Sequence, residues 1–365
     1  MTEAGRAPGD HGPAAAAHTS RPHVGARLED RAYALLARRL ARRGWVPRIE
    51  PYAGYGAPGW VRVMARAVLA PPGTSSAQVA EEDAASARRA VRGWRSFLTV
   101  PVAHAALRVE VAGREHDVRA DRGGYVDAVL EADLDPGWGE VGLSLGGSAV
   151  RAPVLVVPPG PGVALVSDVD DTAMVTALPR PLLAAWNTLV LHEHARRPVP
   201  GMAGLYRRWL AANPGAPTFY LSTGAWNVAP ALRRFLERAG CPLGPLLLTD
   251  WGPTNTGWFR SGREHKLTTL RRLLREFPER RWVLVGDDGQ HDPQIYAQIA
   301  EEHPGRVAVV AIRQLSPAEQ VLAHGTPSAP REQQRAHPGA PVVVRGADGN
   351  ALALALIDAG VLRTP

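Results

Sequence analysis

From Val163 onward, short unbroken apolar runs recur with room for a helix between each pair, and this pattern constrains the fold more than any other feature. The runs fall at 163–166, 219–221, 246–248, 282–285 and 307–312. A strand with one wet face alternates apolar and polar residues, whereas a strand covered on both faces does not. Helical spacing fills the intervals at 202–212, 229–239, 267–277 and 293–302. Buried runs alternating with helices predict an α/β fold, a Rossmann-like parallel sheet with helices on both faces.

The upstream part follows a different rule. Trp60-Val61-Arg62-Val63, Leu107-Arg108-Val109-Glu110-Val111 and Val141-Gly142-Leu143-Ser144-Leu145 alternate as half-buried strands do. Asp121-Arg122-Gly123-Gly124-Tyr125 reads as a turn leading into a strand. Together they predict a small antiparallel β-sandwich, interrupted by a charged, Ala-rich helix or excursion between Ser75 and Arg95. Ahead of it, Leu28, Ala32, Leu35, Leu36 and Leu40 form a helical stripe. Such a helix docks on a core, or, being basic and amphipathic, lies on anionic lipid. The chain therefore divides into a disordered N-terminus (1–25), a helix plus β-sandwich domain (26–150) and a Pro/Gly linker (151–162). An α/β catalytic domain (163–325), a disordered segment (326–341) and a C-terminal strand and helix docked on that domain (342–365) follow.

The single cysteine, Cys241, rules out an intrachain disulfide and a cysteine metal cage. No run approaches the roughly 20 apolar residues of a membrane span, and residues 1–30 lack the apolar core of a signal peptide, so a cytoplasmic location is expected. The net charge of +7 suits an anionic partner. The basic residues are scattered and not interleaved with aromatics, which argues against nucleic acid. Of the 42 basic side chains all are arginines except Lys266. An ammonium is a compact point charge where a guanidinium is a wide fork, so the place of this one lysine carries information.

Four stretches concentrate reactive side chains. Asp168-Val169-Asp170-Asp171-Thr172 follows the first apolar run. Two carboxylates one residue apart can divide labour, one staying ionised to bind metal and attack, the other moving a proton. Alone, the stretch also reads as a helix cap. Ser222-Thr223-Gly224 follows the second run and opens a helix, where a hydroxyl and free N–H groups suit a phosphate oxygen. Lys266 opens the helix after the third run and could neutralise a phosphoryl group. Gly286-Asp287-Asp288-Gly289-Gln290-His291-Asp292 follows the fourth run, and its carboxylates suit a hard cation with oxygen ligands. Mg²⁺ keeps several waters and takes one or two carboxylates, so Asp168 and Asp287 suffice for it.

In this order the four stretches resemble the motifs of the haloacid dehalogenase-like superfamily. Over residues 160–320 they are similar to the phosphatidate phosphatase catalytic domain first associated with actin patches. Pro198-Val199-Pro200-Gly201-Met202, His265-Lys266-Leu267, the run from Gly286 to Tyr296, and upstream Tyr52-Ala53-Gly54-Tyr55-Gly56 carry the resemblance. It implies a phosphoric monoester hydrolase with a phospho-aspartate intermediate. Asp168 would be the nucleophile and Asp170 the general acid and then base, its backbone carbonyl on Mg²⁺. Ser222, with Thr223 and Gly224, would bind phosphate, Lys266 would steady the charge, and Asp287 would complete the metal site. Asp288 and Asp292 would be supporting acids. Ser222-Thr223-Gly224-Ala225 and Gly286-Asp287-Asp288-Gly289 depart from the family's usual Ser-x-Ser-Pro and Gly-Asp-Ser-Gly.

The implied substrate is a phosphatidate-like lipid, and peripheral membrane contact would accompany it. The alternatives are a phosphatase of a soluble metabolite or phosphoprotein, and a non-catalytic adaptor that works through the β-sandwich. The stretch after the nucleophile, with Trp186, His192, His194, Arg196 and Arg197, is too short for a full cap domain, so an open site is expected. A second loop at 251–263 offers Trp258, Phe259 and Arg260 to an amphipathic ligand.

Overall fold

A computed structural model describes residues 35–71, 100–175, 197–249, 262–289, 291–317, 319–320 and 339–364. The expectations for 1–25, for the excursion between Ser75 and Arg95, for Trp186, His192, His194 and Arg196, and for Trp258, Phe259 and Arg260 lie outside the described residues. So does most of the segment 326–341.

Nine strands make the N-terminal sheet: β1 (Val46–Pro51), β2 (Gly54–Ala57), β3 (Gly59–Ala70), β4 (Val100–Pro101), β5 (Ala106–Val111), β6 (Arg114–Arg119), β7 (Tyr125–Ala132), β8 (Gly137–Leu145) and β9 (Ser148–Val156). The path runs β1-β3-β2-β9-β8-β5-β6, with β4 and β7 also on β3. β2 and β9 pair in parallel, while the β3–β7 and β8–β9 ladders are antiparallel. The predicted alternation appears in β5, which buries Leu107, Val109 and Val111 and exposes the residues between them. Asp121 forms the predicted turn, its Oδ1 accepting from the N–H groups of Gly123 and Tyr125 at 2.8 Å. Residues 151–156, read from sequence as linker, instead continue β9, because Ala152, Val154 and Val156 alternate into this sheet's core. Residues 35–41 are helical, with Leu35 and Leu36 66% and 42% exposed and Leu40 half-buried, while Leu28 and Ala32 of the apolar stripe lie outside the described residues.

The remaining described residues are mixed α/β around a six-stranded parallel sheet. Its strands are β10 (Gly162–Asp168), β13 (Thr218–Ala225), β14 (Leu246–Thr249), β15 (Arg280–Asp287), β16 (Val307–Arg313) and β17 (Val342–Gly346). A two-residue ladder, β11 (Met174–Val175) with β12 (Arg197–Pro198), stands apart. The helices are α1 (Met202–Ala212), α2 (Ala229–Arg238), α3 (Gly262–Glu276), α4 (Asp292–Glu302) and α5 (Gly349–Asp358). The order β14-β13-β10-β15-β16-β17 places the first strand between the second and the fourth. The chain thus winds outward from β10 in one direction and then in the other. Such a switch point leaves a crevice beyond the carboxyl ends of the strands, where ligands bind.

Two local differences from the sequence reading bear on the site. The helix expected at 229–239 begins at Ala229, but Ser222-Thr223-Gly224 does not open it directly, since a 3₁₀ turn at Trp226–Val228 intervenes. β13 runs on to Ala225, but its register with β14 shifts between Leu221 and Ala225, so Ser222-Thr223-Gly224 leaves the regular ladder. The third helix begins at Gly262, which puts Lys266 one turn inside it and not at its mouth. The C-terminal segment adds β17 to the sheet and packs Leu352, Ala353 and Leu356 of α5 into the core. Gly201 permits that docking: its φ is +74°, and a Cβ there would lie 2.5 Å from Asn350.

Candidate active site

Asp168 ends β10 and Asp287 ends β15, the strand paired with it in parallel. Both are buried, as are Asp292 at the start of α4, Lys266 on α3 and Ser222 on β13. Four segments distant in sequence therefore meet at the carboxyl edge of one sheet. Lys266 Nζ lies 2.7 Å from Asp168 Oδ1 and 2.6 Å from Asp292 Oδ1. Asp168, Asp287 and Asp292 each place one oxygen within 4.8 Å of the others, a grouping that could hold a metal ion.

Charge explains why it could. Three buried carboxylates face one ammonium, which leaves two negative charges uncompensated in a medium that solvates them poorly. Burial pushes the Asp168 carboxyl well above the usual range, against the pull of Lys266, and Asp292 and Asp170 push it the same way. Burial does the same to Asp287, reinforced by Asp292 and Asp168. Burial would lower the pKa of Lys266, but Asp168 and Asp292 outweigh it and raise the pKa, so the lysine keeps its proton. The cluster must take up protons or a cation, and an all-carboxylate donor set suits a hard divalent ion. The buried Oδ2 atoms of Asp168 and Asp292 make no hydrogen bond among the described residues, which leaves them free to ligate.

The other predicted residues are placed around this centre. Asp170 is half-buried, and its Oδ2 accepts from Ser222 Oγ at 2.8 Å, so this carboxylate and the hydroxyl are in contact. Ser222 Oγ also accepts from the Gly224 N–H at 2.9 Å, while Thr223 is half-buried beside it. Asp288 is turned away from the cluster: its Oδ1 accepts from the Leu315 N–H at 2.8 Å and ties down the loop after β16. Asp287 Oδ1 accepts from the Gly289 N–H at 2.7 Å, and its Oδ2 from Thr172 Oγ1 at 3.4 Å.

Two supporting residues escaped the sequence reading. Tyr206 on α1 shares a 2.6 Å hydrogen bond with Ser167 Oγ, and Ser167 in turn donates to the backbone carbonyl of Asp168 at 2.7 Å. Arg313 ends β16, buried. Its guanidinium donates to the Asp171 carbonyl at 2.7 Å, to Glu319 at 2.6 Å and to the Ala347 carbonyl at 3.2 Å. Asp171 has φ +56°, a left-handed conformation that costs a non-glycine residue energy unless something holds it. The only sequence signal for Arg313 was an arginine closing an apolar run.

Residues 163–314 match the family model described as the phosphatidate phosphatase APP1 catalytic domain. The chain is 26% identical over 153 residues to phosphatidate phosphatase APP1 of Saccharomyces cerevisiae, and equally so to an uncharacterized protein of Schizosaccharomyces pombe. Each match covers 42% of this chain and 26% or 25% of the relative, so the chain matches about a quarter of the length of these relatives. Among solved structures, a carbohydrate acetylesterase from Xanthomonas citri aligns over 76% of this chain and 73% of its own at 12% identity, with a TM-score of 0.27. The resemblance read from the motifs holds at the level of the APP1-type family.

Proposed function

We propose that this chain, whose residues 163–314 form an APP1-type catalytic domain, is a phosphomonoesterase that acts through Asp168 on a phosphatidate-like lipid. The observation that carries the reading is the cluster itself: a buried aspartate with one oxygen paired to Lys266 and the other unpaired, at the switch point of a parallel sheet. The unpaired oxygen is the group that attacks phosphorus. Asp170, held to Ser222, gives a proton to the leaving alkoxide and then takes one from water as the phospho-aspartate is hydrolysed. Ser222 and the N–H groups of its irregular loop bind the phosphoryl oxygens. Lys266 offsets charge on the nucleophile and the transferring group. Asp168 and Asp287 would hold Mg²⁺ with the Asp170 carbonyl, and Asp292 anchors the lysine. When bound, the ion supplies electrostatic stabilisation of the phosphoryl oxygens.

The placement of these motifs supports membership of the haloacid dehalogenase-like superfamily, with a Rossmann-like sheet. The nine N-terminal strands, with a core of their own, are read as a small sandwich. The relative's printed activity supports phosphatidate as substrate. No helix among the described residues is long and apolar enough to cross a membrane, and the +7 charge favours contact with an anionic lipid surface.

The test is phosphate release from an aryl phosphate and from phosphatidate, with and without Mg²⁺. Asp168→Asn is expected to abolish turnover and Asp170→Asn to slow it by about 10²–10⁴-fold. Wild-type rates in Asp168→Asn would refute the assignment of the nucleophile.

A further inference from the structure

Where the N-terminal sheet meets the β13–β14 edge of the parallel sheet lies a cavity of about 530 Å³. Tyr52, Trp138, Trp226, Leu236, Leu243 and Leu246 are among its walls. Ligand sites of this size, mostly apolar, favour such junctions between domains. The catalytic residues do not line it, yet it begins close to them. Trp226 opens the 3₁₀ turn directly after β13, four residues beyond Ser222. At no more than about 3.6 Å per residue, the two backbones are within roughly 14 Å. The Trp226 ring is held there by stacking on Tyr52, with centroids 4.4 Å apart.

The wall offers little to a polar guest. The Tyr220 hydroxyl is spent on the Pro242 carbonyl at 2.8 Å, and Arg233 is paired with Glu237 at 2.9 Å. Trp138 and Leu243 are 45% and 56% exposed, large apolar side chains left in water where most others of their kind among the described residues are buried. A sugar or a nucleotide would have to compete with these bonds and would leave much of the mostly apolar wall unmatched. A hydrocarbon chain would lose only its contact with water.

We propose that this cavity is an acyl-chain site, taking one fatty chain of a phosphoester whose headgroup lies on the Ser222 loop. The proposal rests on the phosphatase reading and deepens it. The headgroup would be fixed by the carboxyl-edge cluster, and the glycerol ester and first methylenes would cross the short distance to Trp226. Specificity for a lipid would then come from the junction between the two sheets and not from the catalytic residues, which any phosphomonoester can engage.

The experiment compares an aryl phosphate with phosphatidates of four-, six- and eight-carbon acyl chains, each kept below its micellar concentration, with Mg²⁺ present. Each buried methylene contributes about 0.8 kcal/mol, a factor of about four. Wild-type kcat/KM should therefore rise by about tenfold or more for each two-carbon step. Leu243→Asp and Trp138→Ala alter exposed positions of the wall, where folding tolerates change, and should leave the aryl phosphate rate unchanged. Both should flatten the chain-length series, Leu243→Asp the more. A flat series in the wild-type protein, with aryl phosphate still hydrolysed, would overturn the acyl-chain site. A steep series that both variants preserve would also overturn it, since the chain would then bind elsewhere. Failure to hydrolyse aryl phosphate at all would instead sink the phosphatase reading.

Discussion

Replacing Lys266 by methionine keeps the length and most of the volume of the side chain and removes one charge. At an effective dielectric constant of about 20, charges 2.7 Å apart attract by roughly 6 kcal/mol, and the lysine has two such partners, at 2.7 and 2.6 Å. Desolvation offsets much of that gross figure, and removing one member of a buried pair costs about 3–5 kcal/mol. In Lys266→Met three buried carboxylates would face one another without a counter-charge. For a domain of this size about 2–4 °C of melting temperature goes with each kcal/mol, so a fall of about 10 °C is expected in EDTA at pH 8. The pH dependence gives the sign. Asp168 and Asp287 hold protons more tightly in the folded chain than in the unfolded one, since burial and mutual repulsion raise their pKa values. The native state therefore binds more protons, and stability falls as pH rises above the ordinary carboxylate range. The deficit of Lys266→Met should shrink as pH drops from 8 to 5, and it should shrink again on adding Asp292→Asn. Scanning calorimetry of the wild type, the single variants and the double variant measures all of this. A deficit under about 1 kcal/mol, or one that grows toward pH 5, would refute the electrostatic account of the cluster.

Gly286→Ala is expected to lower kcat at least tenfold with the fold intact by circular dichroism. A Cβ there would lie 2.5 Å from Asp292 Oδ2 and 2.8 Å from Tyr296, which pushes α4 and its aspartate away from Lys266. Arg313→Met should raise the Mg²⁺ concentration for half-maximal rate several-fold by releasing the Asp171 backbone. Arg313→Lys should not restore it, because an ammonium cannot reach three acceptors in one plane. Burial pushes the Cys241 thiol up to about 11. At pH 8 about one molecule in a thousand then carries the thiolate, so a disulfide reagent should label the native protein slowly and the unfolded protein at once.

The central strands were legible because burial on both faces writes an unbroken apolar run. The starts and ends of β10, β15 and β16 lie within a few residues of 163–166, 282–285 and 307–312. The end of β9 was not legible, since Pro153 and the prolines after Val157 disguise the alternation of Ala152, Val154 and Val156. Pro153 is tolerated because the parallel ladder with β2 begins one residue later, at Val154. At the site, Asp168, Lys266 and Asp287 were legible because each belongs to a contiguous stretch whose chemistry is unusual for its position. Tyr206 was not: on α1 it occupies an ordinary apolar position, and its contact with Ser167 spans 39 residues. Arg313 was hidden for the same reason, since its bond to Asp171 crosses 142 residues. Sequence displays the groups that react more readily than the groups that hold them.

The N-terminal sheet belongs to the second class. Its Tyr55 is fully buried, with ring centroids 5.5 Å from Phe219 and 6.0 Å from Phe277. The Tyr55 hydroxyl donates to Glu276 at 2.8 Å, and Arg62 pairs with the same carboxylate. Glu276 is the last residue of α3, the helix that carries Lys266. Ten residues at 1.5 Å each put that anchor about 15 Å from the lysine along one rigid axis. A slip of α3 by one residue would rotate Lys266 by about 100° and break both of its carboxylate contacts. The sheet resists that slip through Tyr55 and Arg62, and through Tyr52 it also braces Trp226 beyond the Ser222 loop. An adaptor domain tethered to a scaffold would not need its tyrosine inside the scaffold's aromatic core. The sheet is better understood as part of what sets the catalytic geometry, since the same face that braces α3 also closes the cavity beside Trp226.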